Sequence, residues 1–167
     1  MKMGTNLLKL RQSGQVVFFE GMKLLAELME SDSAEVSLVQ NLYRQISGLL
    51  EEDCLLVVDQ LFMLTCLGIS DRSTYLLCHY LVSETLKLER SEVVLRVFQP
   101  ESEELVSLVR RLGELHLSVT GLETGLSRDV SGVLSIQTLQ GQTQTLHFKV
   151  LDKDVKVFAP GTSSAVL

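Results

Sequence analysis

The chain has 167 residues, enough for one domain of ordinary size, and 46% of them are hydrophobic although only 5% are aromatic. Fifteen Lys and Arg against 21 Asp and Glu leave a net charge of −6, the opposite of the basic footprint of an autonomous nucleic-acid binder. Leu and Val must do the packing, and the apolar excess points to a subunit with surface reserved for a partner.

The opening MKMGTNLLKLRQSGQ lacks the continuous apolar core of a signal peptide. QVVFFE (15–20), β-branched and aromatic and ending at Gly21, predicts a strand, and MKLLAELMES after it predicts a helix. EVSLVQNLYRQISGLL places Val36, Val39, Leu42, Tyr43, Ile46 and Leu50 on one helical face. Cys54 to Asp59 reads as a central parallel strand, apolar on both faces, and QLFMLTCLG as a short connection stopping at Gly68. The apolar window Leu55 to Ile69 is broken by Asp59 and Gln60 and is shorter than the roughly 20 residues of a membrane span, so a soluble, intracellular protein is expected.

Asp71 is expected to cap a helix over RSTYLLCHYLVSETLKLE. Glu92 to Gln99 reads as a strand ended by Pro100, and ESEELVSLVRRLGEL as a helix with an acidic first turn and a basic Arg110–Arg111 last turn. LHLSVTGL is a fourth strand. From Gly121 onward VLSIQTL, TLHFKVLD and VKVFA follow one another through Gly, Ser and Gln turns with no helix between them, so they should pair antiparallel. The expected fold is α/β, a mostly parallel sheet flanked by helices with C-terminal antiparallel strands, in a single domain over residues 1–167.

An apolar strand running into Asp59 is how P-loop NTPases deliver a carboxylate to a magnesium ion. A working site also needs GxxxxGK[ST], whose backbone N–H groups wrap the phosphates, and none of the eleven glycines is followed by Lys. Asp59 thus reads as a degenerate Walker-B-like position that hydrogen-bonds the turn after it. The alternative is a nucleotide hydrolase with Asp59 as magnesium ligand and a neighbouring subunit supplying the cradle. No GxSxG, HExxH or GxGxxG motif is present, and no cofactor or metal is expected. Cys54, Cys66 and Cys78, each inside an apolar run without a CxxC, read as free core thiols in a reducing compartment. His79 is adjacent to Cys78, but helical neighbours point about 100° apart, which rules against a nucleophile–base pair.

The loop GLETGLSRDVSG carries Arg128 and Asp129 between two strands. It is either a surface turn with an internal salt bridge or a loop presenting an arginine to a partner or a phosphate. Lys149, Lys153 and Lys156 read as a solvated face.

GQVVFFEG (14–21), LLVVDQLFMLTCLG (55–68), GLETGLSRDVSGVLSI (121–136) and the tail KVLDKDVKVFAPGTSSAVL (149–167) together resemble the family of the sixth subunit of the eukaryotic Elongator complex. The resemblance implies a RecA-like fold without intact ATPase motifs. It implies assembly with the fourth and fifth Elongator subunits into a heterohexameric ring with two copies of each. Such a ring associates with the catalytic Elongator subunits and binds tRNA during wobble-uridine (U34) modification. Arg128 and Asp129 become the candidate partner or tRNA contacts, with no catalytic residue and no membrane. A cytoplasmic location follows, with the nucleus left open. In the family a further region with the P-loop-equivalent strand and helix precedes GQVVFFEG, whereas about fourteen residues precede it here. An N-terminally shortened form is expected, with an unpaired edge on Cys54–Asp59 or its neighbour and marginal stability when isolated.

Overall fold

A computed structural model describes residues 6–29, 34–98, 102–123, 125 and 127–162. In chain order the elements are α1 (Leu7–Gln12), α2 (Gly21–Met29), α3 (Glu35–Ser47), β1 (Leu55–Val58), α4 (Phe62–Cys66) and α5 (Asp71–Thr85), then β2 (Glu92–Leu95), α6 (Glu103–Arg110), β3 (Leu115–Thr120), β4 (Gly132–Thr138), β5 (Thr143–Leu151) and β6 (Asp154–Phe158). They fall into two compact units, one of Val17–Leu112 and one combining Met1–Val16 with Gly113–Leu167.

The Val17–Leu112 unit is built around α5. Thr74, Leu77, Cys78, Leu81 and Thr85 recur every three or four residues and are all buried, a stripe that faces α3 on one side and α6 on the other. Leu25 of α2, Leu38, Val39 and Leu42 of α3, Leu61, Leu64 and Ile69 around α4, and Leu105 and Val109 of α6 close the core. On α3 the buried face is turned from the expected one, taking in Leu38 and leaving Val36 exposed. The N-cap of α5 is Ser70, whose hydroxyl accepts from the Ser73 N–H at 3.3 Å. Asp71, expected to cap, occupies the first helical position instead. Ser102 caps α6 in the same way through the Leu105 N–H.

β1 and β2 pair in parallel, Leu55 opposite Glu92 through Val58 opposite Leu95. They form a two-stranded sheet, so each has an edge without a strand partner among the described residues. Leu56, Val58 and Leu95 turn toward the helices, while Leu55 and Val57 are 59% and 56% exposed. The expectation of a central strand buried on both faces is therefore corrected. Helices cover one face of this pair, and a continuous apolar run supplied residues for two.

The strand expected over 15–20 does not form. The Val16 N–H bonds the Leu10 carbonyl at 3.2 Å and the Phe19 carbonyl accepts from the Gly21 N–H at 3.0 Å, so this backbone is held by local turns without a ladder. β propensity gives a strand only where a neighbour offers pairing. Gln99 and Pro100, expected to end β2, lie outside the described residues, as do residues 163–167 of the tail.

In the other unit β3, β4, β5 and β6 form an antiparallel meander in that order; the turn-separated runs predicted this for β4 to β6, whereas β3, expected in the mostly parallel part of the sheet, is corrected to the meander. LHLSVTGL belongs to this meander as β3, pairing Leu117 with Ile136 and Val119 with Leu134. Gly132 opens β4 where no side chain fits, since a Cβ there would stand 2.3 Å from the Thr120 carbonyl oxygen and 2.8 Å from the Phe148 ring. The fold is thus α/β, with a two-stranded parallel sheet and a four-stranded antiparallel one.

Candidate functional site

The parallel register that pairs Val58 with Leu95 sends the next residue of each strand, Asp59 and Arg96, out of the same end of the sheet. The Arg96 N–H continues the ladder by donating to the Val58 carbonyl at 2.9 Å. Its guanidinium Nη1 donates to Asp59 Oδ1 at 2.9 Å, with both side chains about half exposed. The following turn, from which Asp59 was expected to accept a backbone N–H, passes through Gln60 at φ 59° before α4 begins, and Asp59 accepts from Arg96 instead. The partner of Asp59 is a cation 37 residues away.

Beside this pair lies a shallow hollow of about 230 Å³ lined by Gln60, Phe62, Met63, Arg96 and Phe98. It sits outside the carboxyl ends of the parallel strands, where α/β sheets bind ligands. Its lining is two phenyl rings, a thioether, one glutamine and one guanidinium already engaged by a carboxylate. Such a hollow suits an apolar or aromatic group better than a triphosphate, which needs several unengaged N–H donors. Among the described residues no group of three or more His, Cys, Asp or Glu side chains converges to hold a metal ion.

A second acid–guanidinium pair stands at the opposite end of the same strands. Arg90 grips Asp53 with both Nε and Nη2 at 2.7 Å, and both residues have left-handed backbone, φ 54° and 60°. Nothing in the local sequence announced either pair. The signal was present only in the register, because both pairs have the same separation along the chain.

Arg128 and Asp129 are both exposed, and the internal bridge of the surface-turn reading does not form. The Asp129 N–H is taken by Ser127 Oγ at 3.2 Å, and the Arg128 carbonyl accepts from Lys149 Nζ. Lys149 faces Lys156 across β5 and β6, so leaning toward that carbonyl carries one ammonium away from the other. The Arg128 side chain makes no ion pair among the described residues, which keeps its guanidinium available. Thr124 and Leu126 of this loop lie outside the described residues.

The cysteines divide by environment. Cys78 is fully buried and burial pushes its thiol up to about 12, whereas Cys54 is half-buried and Cys66 exposed. The expectation of three core thiols is corrected at Cys66, which follows the buried Leu64 by two positions and so points to the other side of α4. His79 packs against Tyr75 and Tyr80 with ring centroids 6.0 and 5.8 Å away. Glu35 accepts from the Ser70 hydroxyl at 2.6 Å and the Ser70 N–H at 2.8 Å. Bonds from the Ser70 and Ser73 hydroxyls, then the Ser70 N–H, hold its carboxyl below the usual carboxylate range.

No helix among the described residues is long and apolar enough to cross a membrane. No family model matches the chain. It is similar to Elongator complex protein 6 of Mus musculus, 30% identical over 200 residues that cover 99% of this chain and 75% of the relative. The likeness to the proteins of the same name from Xenopus laevis and Homo sapiens is 29% and 28% identity with the same coverage. The matched stretch of 200 residues exceeds the 167 of this chain, so part of the difference in length lies inside the match. With that identity sustained over nearly its whole length, the chain belongs to the Elongator complex protein 6 family.

Proposed function

We propose that the chain is a non-catalytic accessory subunit of Elongator. It joins the fourth and fifth subunits in a heterohexameric RecA-like ring that binds tRNA and supports wobble-uridine modification alongside the catalytic subunits in the cytoplasm. Family membership is the observation that carries this reading. The residues support it. The carboxylate at the Walker-B-like position is engaged by Arg96, which favours an accessory role over the hydrolase alternative. The parallel β1–β2 pair followed by an antiparallel meander fits a RecA-like order of elements. The acidic balance of the chain fits tRNA binding by the assembled ring rather than by this subunit alone.

Co-expression with the fourth and fifth Elongator subunits tests the proposal. A stable stoichiometric complex is expected, and binding of tRNA by that complex should exceed binding by the chain alone. Failure of the chain to co-purify would overturn it.

A further inference from the structure

The register of the four-stranded sheet sorts its side chains completely. Residues opposite one another share a face, so Leu117 with Ile136, Val119 with Leu134 and Leu146, Phe148 with Val157, and Val150 with Val155 lie on one side. No charged residue falls on that side. The other side is mixed, carrying His116, Ser118, Thr120, Thr145, Lys149 and Lys156 together with Val133 and Leu151, and the buried Phe158 packs edge-on against His147 there. An antiparallel sheet with this alternation turns its polar face to water and its apolar face to a covering layer.

Here the apolar face is open. Leu115, Leu117, Val119, Val150, Val155 and Val157 are between 45% and 66% exposed. Their free area is on the order of 600 Å², the upper end of the largest patch on a typical monomer and most of the roughly 800 Å² each partner gives a standard interface. Apolar area is favoured out of water in proportion to its extent, so leaving this face uncovered is unfavourable.

We propose that this face is the docking surface for another Elongator subunit, one that presents an uncharged, apolar surface to Leu117, Val119 and Val157. The choice of a different polypeptide over a second copy rests on the ring reading above, and the area and the lack of charge set what that polypeptide must offer. A charged or wet surface would leave ions unpaired against the sheet.

The test compares three forms co-expressed with the fourth and fifth subunits. Leu117→Glu/Val157→Glu places two carboxylates on the apolar face and should lower recovery of the complex at least tenfold. Thr145→Glu, on the polar face, should leave recovery unchanged. Val119→Cys gives a readout that survives poor folding of the double variant, because maleimide labelling of that peptide should slow at least tenfold in the complex relative to the free chain. Recovery of the double variant equal to the wild type, or labelling of Val119→Cys at the same rate in both states, would overturn the proposal while leaving the ring reading intact. Slow labelling of the free chain together with a dimer in sedimentation would assign the face to a second copy and overturn it too. A wild-type chain that fails to co-purify overturns the ring reading and this inference with it.

Discussion

Asp59 Oδ1 accepts a hydrogen bond from Arg96 Nη1 at 2.9 Å, across the carboxyl ends of the two parallel strands. The arrangement follows from the register alone, since Val58 and Leu95 are partners and each is followed by one of the pair. An aspartate left by a strand at this place in an ATPase would need open coordination sites for a metal. Here a guanidinium occupies one oxygen, and it also forms a wall of the neighbouring apolar hollow.

Asp59→Ala should therefore change little. Both side chains are about half exposed, and exposed pairs contribute only about 0–1 kcal/mol after screening. Urea unfolding should shift by no more than about 1 kcal/mol, and addition of Mg²⁺ with ATP should raise the thermal midpoint of wild type and variant equally or not at all. Magnesium-dependent ATP turnover that disappears in Asp59→Ala would restore the hydrolase reading.

The start of α5 separates two assignments of one cap. Ser70 Oγ accepts from the Ser73 N–H and donates to Glu35, so Ser70→Ala should cost about 1 kcal/mol, the usual cost of a lost N-cap. Asp71→Ala leaves the α5 cap in place but removes the carboxylate that accepts from the Ser102 hydroxyl at the start of α6, so hydrogen exchange should quicken at the first turn of α6 and stay unchanged at the first turn of α5. The same serine depresses the Glu35 carboxyl. A depressed carboxyl contributes stability above its ordinary value and loses it as pH falls through the lowered one. Acid titration of Glu35 followed by NMR should move back up toward the ordinary carboxylate value in Ser70→Ala, and an unmoved titration would remove Ser70 as its main partner.

Legibility in the sequence followed the range of the interactions. The helices over α3, α5 and α6 and the meander β4–β6 were readable, because helical spacing and turn residues report on neighbours within a few positions. The strand expected at Gln15–Glu20, the two-sided burial of β1, and the partner of Asp59 were not readable, because each depends on what another segment brings alongside. The internal bridge weighed for Arg128 and Asp129 failed for the converse reason. Sequence adjacency suggested a bridge, while Lys149, 21 residues on, supplied the bond that organises the loop. The open apolar face of the meander was visible in principle as alternation in LHLSVT and TLHFKVL, but only the register of four strands shows that the alternations fall on one side.

Gly132→Ala should be among the most damaging single changes in the meander. The added methyl meets the Thr120 carbonyl, a backbone atom that cannot swing away, and the Phe148 ring on the other side. Overpacking of this kind costs about 1–3 kcal/mol. Hydrogen exchange across β3 and β4 should accelerate, and protection equal to wild type would show that the two strands can part without loss.

Cys78 links burial to alkaline stability. Its thiol is raised from 9.0 to about 12 by burial, so the folded chain keeps a proton that the unfolded chain releases above its ordinary value. Stability from this group is fully present below pH 9 and is lost as pH rises toward 12, at up to about 1.4 kcal/mol per pH unit. Cys78→Ala should lower stability at neutral pH through a small cavity yet flatten its decline above pH 9 relative to wild type. Cys66, exposed on α4, should react with maleimide at once while Cys78 waits for unfolding, and simultaneous labelling of the two would contradict their placement.

Arg128 is the remaining test of the loop. Its carbonyl is fixed by Lys149 while its guanidinium makes no ion pair among the described residues, so the loop is anchored at its backbone and charged at its tip. Each phosphate neutralised by such a cation steepens the salt dependence of binding, because a condensed counterion is released. In a ring assembled with the fourth and fifth subunits, Arg128→Ala should weaken tRNA binding several-fold at low salt and reduce the slope of log Kd against log salt by about one contact or less per copy. A loss of ring recovery instead would place Arg128 at a subunit contact. Unchanged affinity at low salt with intact assembly would remove it from both roles, leaving the loop as a turn whose charge serves only its solvation.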